Sequence, residues 1–201
     1  MALLLGLCLT GLLLVLALIA RRQLGDAHAS ALQAWQALQH CLAERRAARI
    51  VVIDLDVHQG NGTAAIFARD PAVFTFSMHG ARNYPFRRES ASDIDIDLAD
   101  GTGDRDYLEA LHRGLSDALD RATPDLAIYL AGADPFQDDR LGRLKLSKPG
   151  LRARDEYVYA SLRQRGVPVA LAMAGGYARD IADTVDIHSN TVLTAKAMLA
   201  A

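Results

Sequence analysis

From Ala2 to Ala20 the pattern is almost unbroken: only Gly6, Thr10 and Gly11 fall outside the apolar class, and Arg21-Arg22 follow at once. At a helical rise of about 1.5 Å per residue, roughly 19 such residues come close to spanning a bilayer core of about 30 Å. The pattern predicts an apolar helix over 1–22. Read as a transmembrane anchor, its basic pair would hold the following domain on the cytoplasmic side. A cleaved signal peptide fits less well, because its charge should precede the apolar run. A displaced start or reading frame is the third reading. Residues 23–48 predict a second helix, polar at first and then rich in Ala, Leu and Gln.

After residue 48 the period changes. Ile50-Val51-Val52-Ile53 is a β-branched run of the kind found in buried parallel strands. Gly60-Asn61-Gly62 breaks it, and Thr63 is placed to cap a short helix through Phe67. Strands are expected over 73–78 and over 94–98, the latter alternating with aspartates as a half-exposed strand would. An amphipathic helix over 106–121 is closed by Pro124. Residues 126–130 read as another buried strand, and 150–165 as a helix turned by Gly166-Val167-Pro168. A strand over 169–174 and a terminal helix from Asp180 complete the series. Strands alternating with helices predict α/β layers around a mainly parallel sheet.

Composition narrows the class. The chain has 201 residues, 51% of them hydrophobic, enough for one domain with a buried core. A net charge of −2 lacks the basic footprint of direct nucleic-acid binding. Cys8 and Cys41 form no Cys-x-x-Cys, so a thiolate zinc finger is excluded and a reducing, cytoplasmic setting is expected.

Three expected strands end in residues a core strand would not choose: Asp54-Leu55-Asp56-Val57-His58, Gly132-Ala133-Asp134 and Gly175-Gly176-Tyr177. In open parallel sheets, ligands bind beyond the carboxyl ends of the strands. Two positions apart on a strand, Asp56 and His58 would share one face. A carboxylate beside an imidazole suits zinc or a similar ion, and Asp134 can add a third ligand, leaving room for water and substrate. Asp54, one step deeper, needs hydrogen bonds or a second cation to offset its burial. Each element has a plainer reading. Asp-x-His recurs freely, Asp134 could be a cap, and Tyr177 an ordinary surface tyrosine. His79, His112 and His188 read as packing or surface residues. The glycosylation sequon Asn61-Gly62-Thr63 requires a secreted domain.

Taken together, the motifs resemble the histone deacetylase family. Asp54-Leu55-Asp56-Val57-His58-Gln59-Gly60-Asn61-Gly62-Thr63 is similar to its metal-binding stretch, and Phe76-Ser77-Met78-His79 to its next strand end. Ala131-Gly132-Ala133-Asp134 followed by Asp139-Arg140-Leu141-Gly142 resembles the segment with the third ligand, and Gly175-Gly176-Tyr177 the catalytic tyrosine motif. Asn83-Tyr84-Pro85 and Asp100-Gly101-Thr102-Gly103-Asp104 are most similar to class IV enzymes and their bacterial relatives.

The resemblance implies an arginase-like three-layer α/β sandwich over 48–201. Asp56, His58 and Asp134 would hold zinc or iron(II). Asp54, the carbonyls of Asp56 and His58, and groups from Ser77 and Met78 would hold a structural potassium ion. Tyr177 would donate to the substrate oxyanion, and the substrate would be an acylated lysine or a small acyl-amine such as an acetylated polyamine. Two departures stand out. The family's adjacent histidines, its general base and acid, have no counterpart: upstream lie only His28 and His40. The family's N-terminal portion is expected to be missing too, its place taken by the apolar segment and helix. Losing general acid–base help typically costs about 10²–10⁴-fold in rate. The alternatives to an active deacylase are therefore an inactive remnant and a metal- or acyl-lysine-binding module. Asp138 stands where the family pattern carries a glycine.

Overall fold

The computed structural model describes residues 47–87 and 89–199. The apolar segment expected over 1–22 lies outside them. So does the helix expected over 23–48, except for Ala47 and Ala48, which are not helical. No helix among the described residues is long and apolar enough to cross a membrane.

Five strands form one parallel sheet: β1 (Ile50–Asp54), β2 (Val73–Gly80), β3 (Ile94–Leu98), β4 (Leu126–Ala131) and β5 (Val169–Met173), in the order β3-β2-β1-β4-β5. The order reverses at β1, which pairs with β2 on one side and β4 on the other. That reversal is the switch point where parallel α/β sheets leave a crevice. The apolar run at 50–53 follows from this place: β1 is central, and all five of its residues are buried.

Among the described residues four helices cover the sheet: α1 (Asn61–Phe67), α2 (Asp104–Ala122), α3 (Lys148–Gln164) and α4 (Ile181–Leu199). On one face Val51, Ile53 and Leu55 share a core with Tyr107, Leu111, Leu115 and Leu119 of α2, and with Leu151, Val158 and Leu162 of α3. The spacing of the α2 leucines follows the turn of a helix, which is what puts them on one stripe. On the other face Ile50, Val52 and Val73 pack with Phe67 of α1 and Ala47. Helices on both faces of a parallel sheet give the expected layered architecture.

The differences from expectation are local. Thr63 does not cap α1; the helix starts at Asn61, and Gly60 precedes it without any side-chain cap. Gly60 is held earlier, its N–H donating to Ser77 Oγ at 3.2 Å. The strand expected to be uniformly buried, β4, instead alternates: Ala127, Tyr129 and Ala131 are buried, Leu126, Ile128 and Leu130 half-buried. α3 begins at Lys148 because Ser147 accepts from the Gly150 N–H at 3.0 Å and Pro149 fits the first turn.

Candidate metal centre

The strand β1 ends at Asp54, so Asp56 and His58 lie in the bend beyond it and not on the strand itself. The bend is nonetheless specified side chain by side chain. Asp54 Oδ1 accepts from the Asp56 N–H at 3.1 Å, and Asp56 Oδ1 accepts from the His58 N–H at 2.8 Å. Beyond β4, Asp134 Oδ1 accepts from the Val57 N–H at 2.9 Å. Beyond β5, the Gly175 N–H donates to Asp56 Oδ2 at 2.8 Å, while its carbonyl accepts from the Ala133 N–H at 2.7 Å. Three strand ends are thus laced at one crevice.

The lacing brings Asp56, His58 and Asp134 together, with one ligand atom from each within 4.8 Å of the others. His58 Nδ1 lies 2.8 Å from Asp56 Oδ1 and 3.4 Å from Asp134 Oδ2. At metal–ligand bonds of about 2.0–2.2 Å, the edge of a tetrahedron is roughly 3.3–3.6 Å. The longer separation already has that value, and the shorter one is a hydrogen bond that an ion would replace. Asp134 Oδ2 is buried with the His58 ring at 3.4 Å and no closer hydrogen-bond partner, a sparse setting for a carboxylate oxygen and one that an ion would fill. A Cβ on Gly175 would overlap Asp134 Oδ2 and come within 2.8 Å of Asp56 Oδ2. The glycine leaves room for the ligand atoms and for what they would hold. The side chain of His58 is 29% exposed and that of Asp134 only 1%, so the centre is closed at its base and open at the His58 side, as a catalytic site must be.

The charges are mutually dependent. Hydrogen bonds to Asp134 and Asp56 raise the His58 pKa to about 10 against the cost of burial. Burial, then the charge of Asp56, pushes Asp134 up to about 7. Burial also opposes the charge on Asp56, but bonds from His58 and Gly175 more than reverse it and hold that carboxylate below its usual range. Without an ion, the triad keeps a proton on His58 between two acidic groups.

Part of the group expected around a second cation lies together. Asp54 and Ser77 are paired across β1 and β2 and both are buried, as is Met78. Burial, then the Asp56 charge, raises the Asp54 pKa well above the ordinary carboxylate value. A Cβ on Gly60 would sit 2.5 Å from Asp54 Oδ2. Hard oxygen donors around a buried carboxylate fit a potassium-like ion.

Tyr177 is exposed, and its backbone is fixed. Its N–H donates to Asp139 Oδ2 at 2.6 Å, and its carbonyl accepts from Arg140 N and Arg140 Nε, each at 3.1 Å. Tyr177, Arg140, Arg179 and Ile181 line an open cavity of about 660 Å³. Asp139 was not singled out as a functional residue by the sequence reading. Its Oδ1 accepts from the N–H groups of Leu141 and Gly142 at 2.8 Å, a side-chain turn that an Asp followed by Leu-Gly could have signalled. Asp138 does not need to be glycine, since Thr123 is the sole non-glycine at positive φ among the described residues. His79 is buried between Ser77 Oγ at 2.9 Å and Asp97 Oδ1 at 3.2 Å, and His112 stacks on Tyr157. His79 is a packing residue and His112 an exposed surface one; His188 is half-buried on α4.

The molecule's open parallel sheet, with acidic and imidazole groups gathered at its switch point, is an α/β arrangement suited to holding a metal ion. Its fold is similar to that of an acetylpolyamine aminohydrolase from Burkholderia pseudomallei, with a TM-score of 0.69 at 24% identity over 84% of this chain and 49% of that one. Residues 31–192 match the histone deacetylase domain, and the chain belongs to that family. The match starts upstream of residue 48, where the motif reading had put its beginning. An uncharacterized protein of Picosynechococcus sp. is 47% identical over 71% of this chain and 47% of its own length. Histone deacetylase 2 of Arabidopsis thaliana is 37% identical over 70% of this chain and 38% of its own length. A histone deacetylase-like amidohydrolase of Pseudomonas aeruginosa is 32% identical over 70% and 40%. The chain spans less than half the length of these relatives.

Proposed function

We propose that this protein is a metal-dependent deacylase of the class IV-like branch of its family, acting on an acyl-lysine or a small acyl-amine. The observation that supports this most is the triad of Asp56, His58 and Asp134, with Asp134 Oδ2 touched only loosely by His58 and Gly175 leaving space beside it. Zinc or iron(II) would be held by those three side chains, with potassium at Asp54, Ser77, the Met78 backbone and the carbonyls of Asp56 and His58. The catalytic ion, when bound, would supply Lewis acidity toward the acyl carbonyl and toward water.

The chain's own residues do the rest. Asp56 and Asp134 are fixed by the N–H groups of Gly175 and Val57, so neither must reorganise as charge develops. Tyr177, two residues beyond Gly175, would donate its hydroxyl proton in a hydrogen bond to the carbonyl oxygen as it becomes negative. One such donor is typically worth about 3–4 kcal/mol. His58 would turn its ring to the ion through Nδ1 and so cannot serve as the base.

That last point favours a second reading, a module that binds metal and acyl-lysine without turnover. Among the described residues no other histidine is bonded to the triad: His79 and His112 are engaged elsewhere, and His188 lies on α4.

One experiment separates the two. The protein is reconstituted with zinc or iron(II) and assayed on an acetyl-lysine peptide and on an acetylated polyamine. The deacylase reading expects turnover that Tyr177→Phe depresses by about 10²–10³-fold. Bound metal and bound acetyl-lysine peptide without turnover would establish the binding module. Absence of bound metal would defeat both.

A further inference from the structure

The largest fully buried side chain among the described residues is a charged one. Arg154, on α3, is fully buried, and so is its ion-pair partner Asp155, with Nε donating to Asp155 Oδ1 at 2.8 Å. Burying two charges usually gains little stability over two apolar side chains of the same size, because desolvation offsets their attraction. What the pair touches gives a different reason for its place. Arg154 Nη1 donates to the Gly132 carbonyl at 2.6 Å and contacts the Leu55 carbonyl at 3.5 Å. Leu55 immediately precedes Asp56, and Gly132 stands two residues before Asp134.

We infer that Arg154 is a positioning residue of the metal centre, fastening the ends of β1 and β4 so that Asp56 and Asp134 stand at ligand spacing. This rests on the metal-site reading above. The two carboxylates belong to neighbouring strands, and sheet hydrogen bonds end before either of them. Past that point Nη1 alone bridges the two carbonyls, closely to Gly132 and at 3.5 Å to Leu55, and the rigid guanidinium plane, fixed through Nε by Asp155, sets where that nitrogen stands, which a mobile lysine ammonium would not. The plane is itself oriented. Asp155 Oδ1 also accepts from the Tyr129 hydroxyl at 2.5 Å, and Asp155 Oδ2 accepts from Thr191 Oγ1 at 2.6 Å. Asp155 is thereby held from β4 and α4 at once. A continuous chain of contacts runs from Thr191 on the terminal helix through Asp155 and Arg154 to the two ligand loops. Partners of this kind, outside the ligands themselves, typically govern metal affinity by about 10–100-fold.

The test uses the full chain, freed of metal and titrated with Co2+. Affinity is read by competition with a chromophoric chelator, geometry from the visible absorption of the bound ion, and folding from the melt of the metal-free protein. Arg154→Met is expected to bind Co2+ about 10–100-fold more weakly, with an altered spectrum. Arg154→Lys should recover only part of the loss. A side chain with a purely structural role would lower the melting temperature and leave the spectrum unchanged. An Arg154→Met protein that folds and binds Co2+ with wild-type affinity and spectrum overturns the inference. Should Arg154→Met fail to fold, Thr191→Val decides, because it leaves both charges in place and removes the one hydrogen bond that holds Asp155 Oδ2. Weakened binding with a cooperative melt supports the inference; wild-type binding and spectrum overturn it. A wild-type chain that takes up no Co2+ marks the failure of the metal-site reading itself, whereas wild-type uptake with indifferent variants sinks only the role of Arg154.

Discussion

The Gly175 N–H donates to Asp56 Oδ2 at 2.8 Å, tying the loop that carries Tyr177 directly to a proposed metal ligand in the bend beyond β1, 119 residues earlier. The same glycine has no room for a side chain, since its Cβ would overlap Asp134 Oδ2. Gly175→Ala should therefore act on the metal before it acts on the fold. Asp134 is almost fully buried and cannot swing into solvent. Metal affinity is expected to fall by about 10²-fold, equivalent to about 2.7 kcal/mol, within the usual cost of overpacking a closed site. Competition titration with a chelator checks this, and an alanine variant with wild-type affinity would show that the cradle is incidental.

Proton release should accompany metal uptake. The triad holds His58 protonated, its pKa raised to about 10 by hydrogen bonds to Asp134 and Asp56. A metal ligand must be a neutral imidazole, so each ion that enters displaces that proton. The sign follows: the apparent affinity rises with pH below about pH 10, by about tenfold per unit for the His58 proton and more steeply below about pH 7, where Asp134 also has a proton to lose. Chelator competition at several pH values, or calorimetry in buffers of different ionisation enthalpy, reads the number directly. An affinity independent of pH between 6 and 8 would contradict the charge arrangement.

Asp139 should matter to turnover without mattering to the metal. Its two carboxylate oxygens accept from the backbone N–H groups of Tyr177, Leu141 and Gly142. Asp139→Ala leaves those donors without their acceptor in a part-buried setting, at a cost of about 1–2 kcal/mol of stability. If the protein deacylates, the rate should fall by about 10-fold or more as Tyr177 loses its place, with metal affinity within about twofold of wild type. Thermal melting, chelator competition and the acetyl-lysine assay separate the three effects.

How much of this could be read from residues alone depends on the period of the signal. The β-branched run of Ile50-Val51-Val52-Ile53 announces a central strand because β1 is buried on both faces. Leu111, Leu115 and Leu119 announce α2 by their helical spacing. The triad was legible because Asp56 and His58 are neighbours in sequence and Asp134 follows an apolar strand, although both of the former lie past the strand and not on it. Arg154 was illegible. It sits on an amphipathic helix among Arg152, Asp155 and Glu156, and nothing in that run tells an exposed charge from a buried one; only the approach of α3 to the Gly132 carbonyl does. Thr63 misled in the opposite way. A good capping residue lost its place to Gly60, whose position is set by Ser77 on the next strand.

The central claim is that Asp56, His58 and Asp134 form one metal site. Its most direct test is metal content after reconstitution with zinc or iron(II) and removal of excess ion, on the wild type and on Asp134→Asn. The account predicts one tightly held ion per wild-type chain and its loss in the variant, with the melt of the metal-free proteins nearly the same. A wild-type chain that retains no stoichiometric ion, or a variant that retains it as well as the wild type, would contradict it.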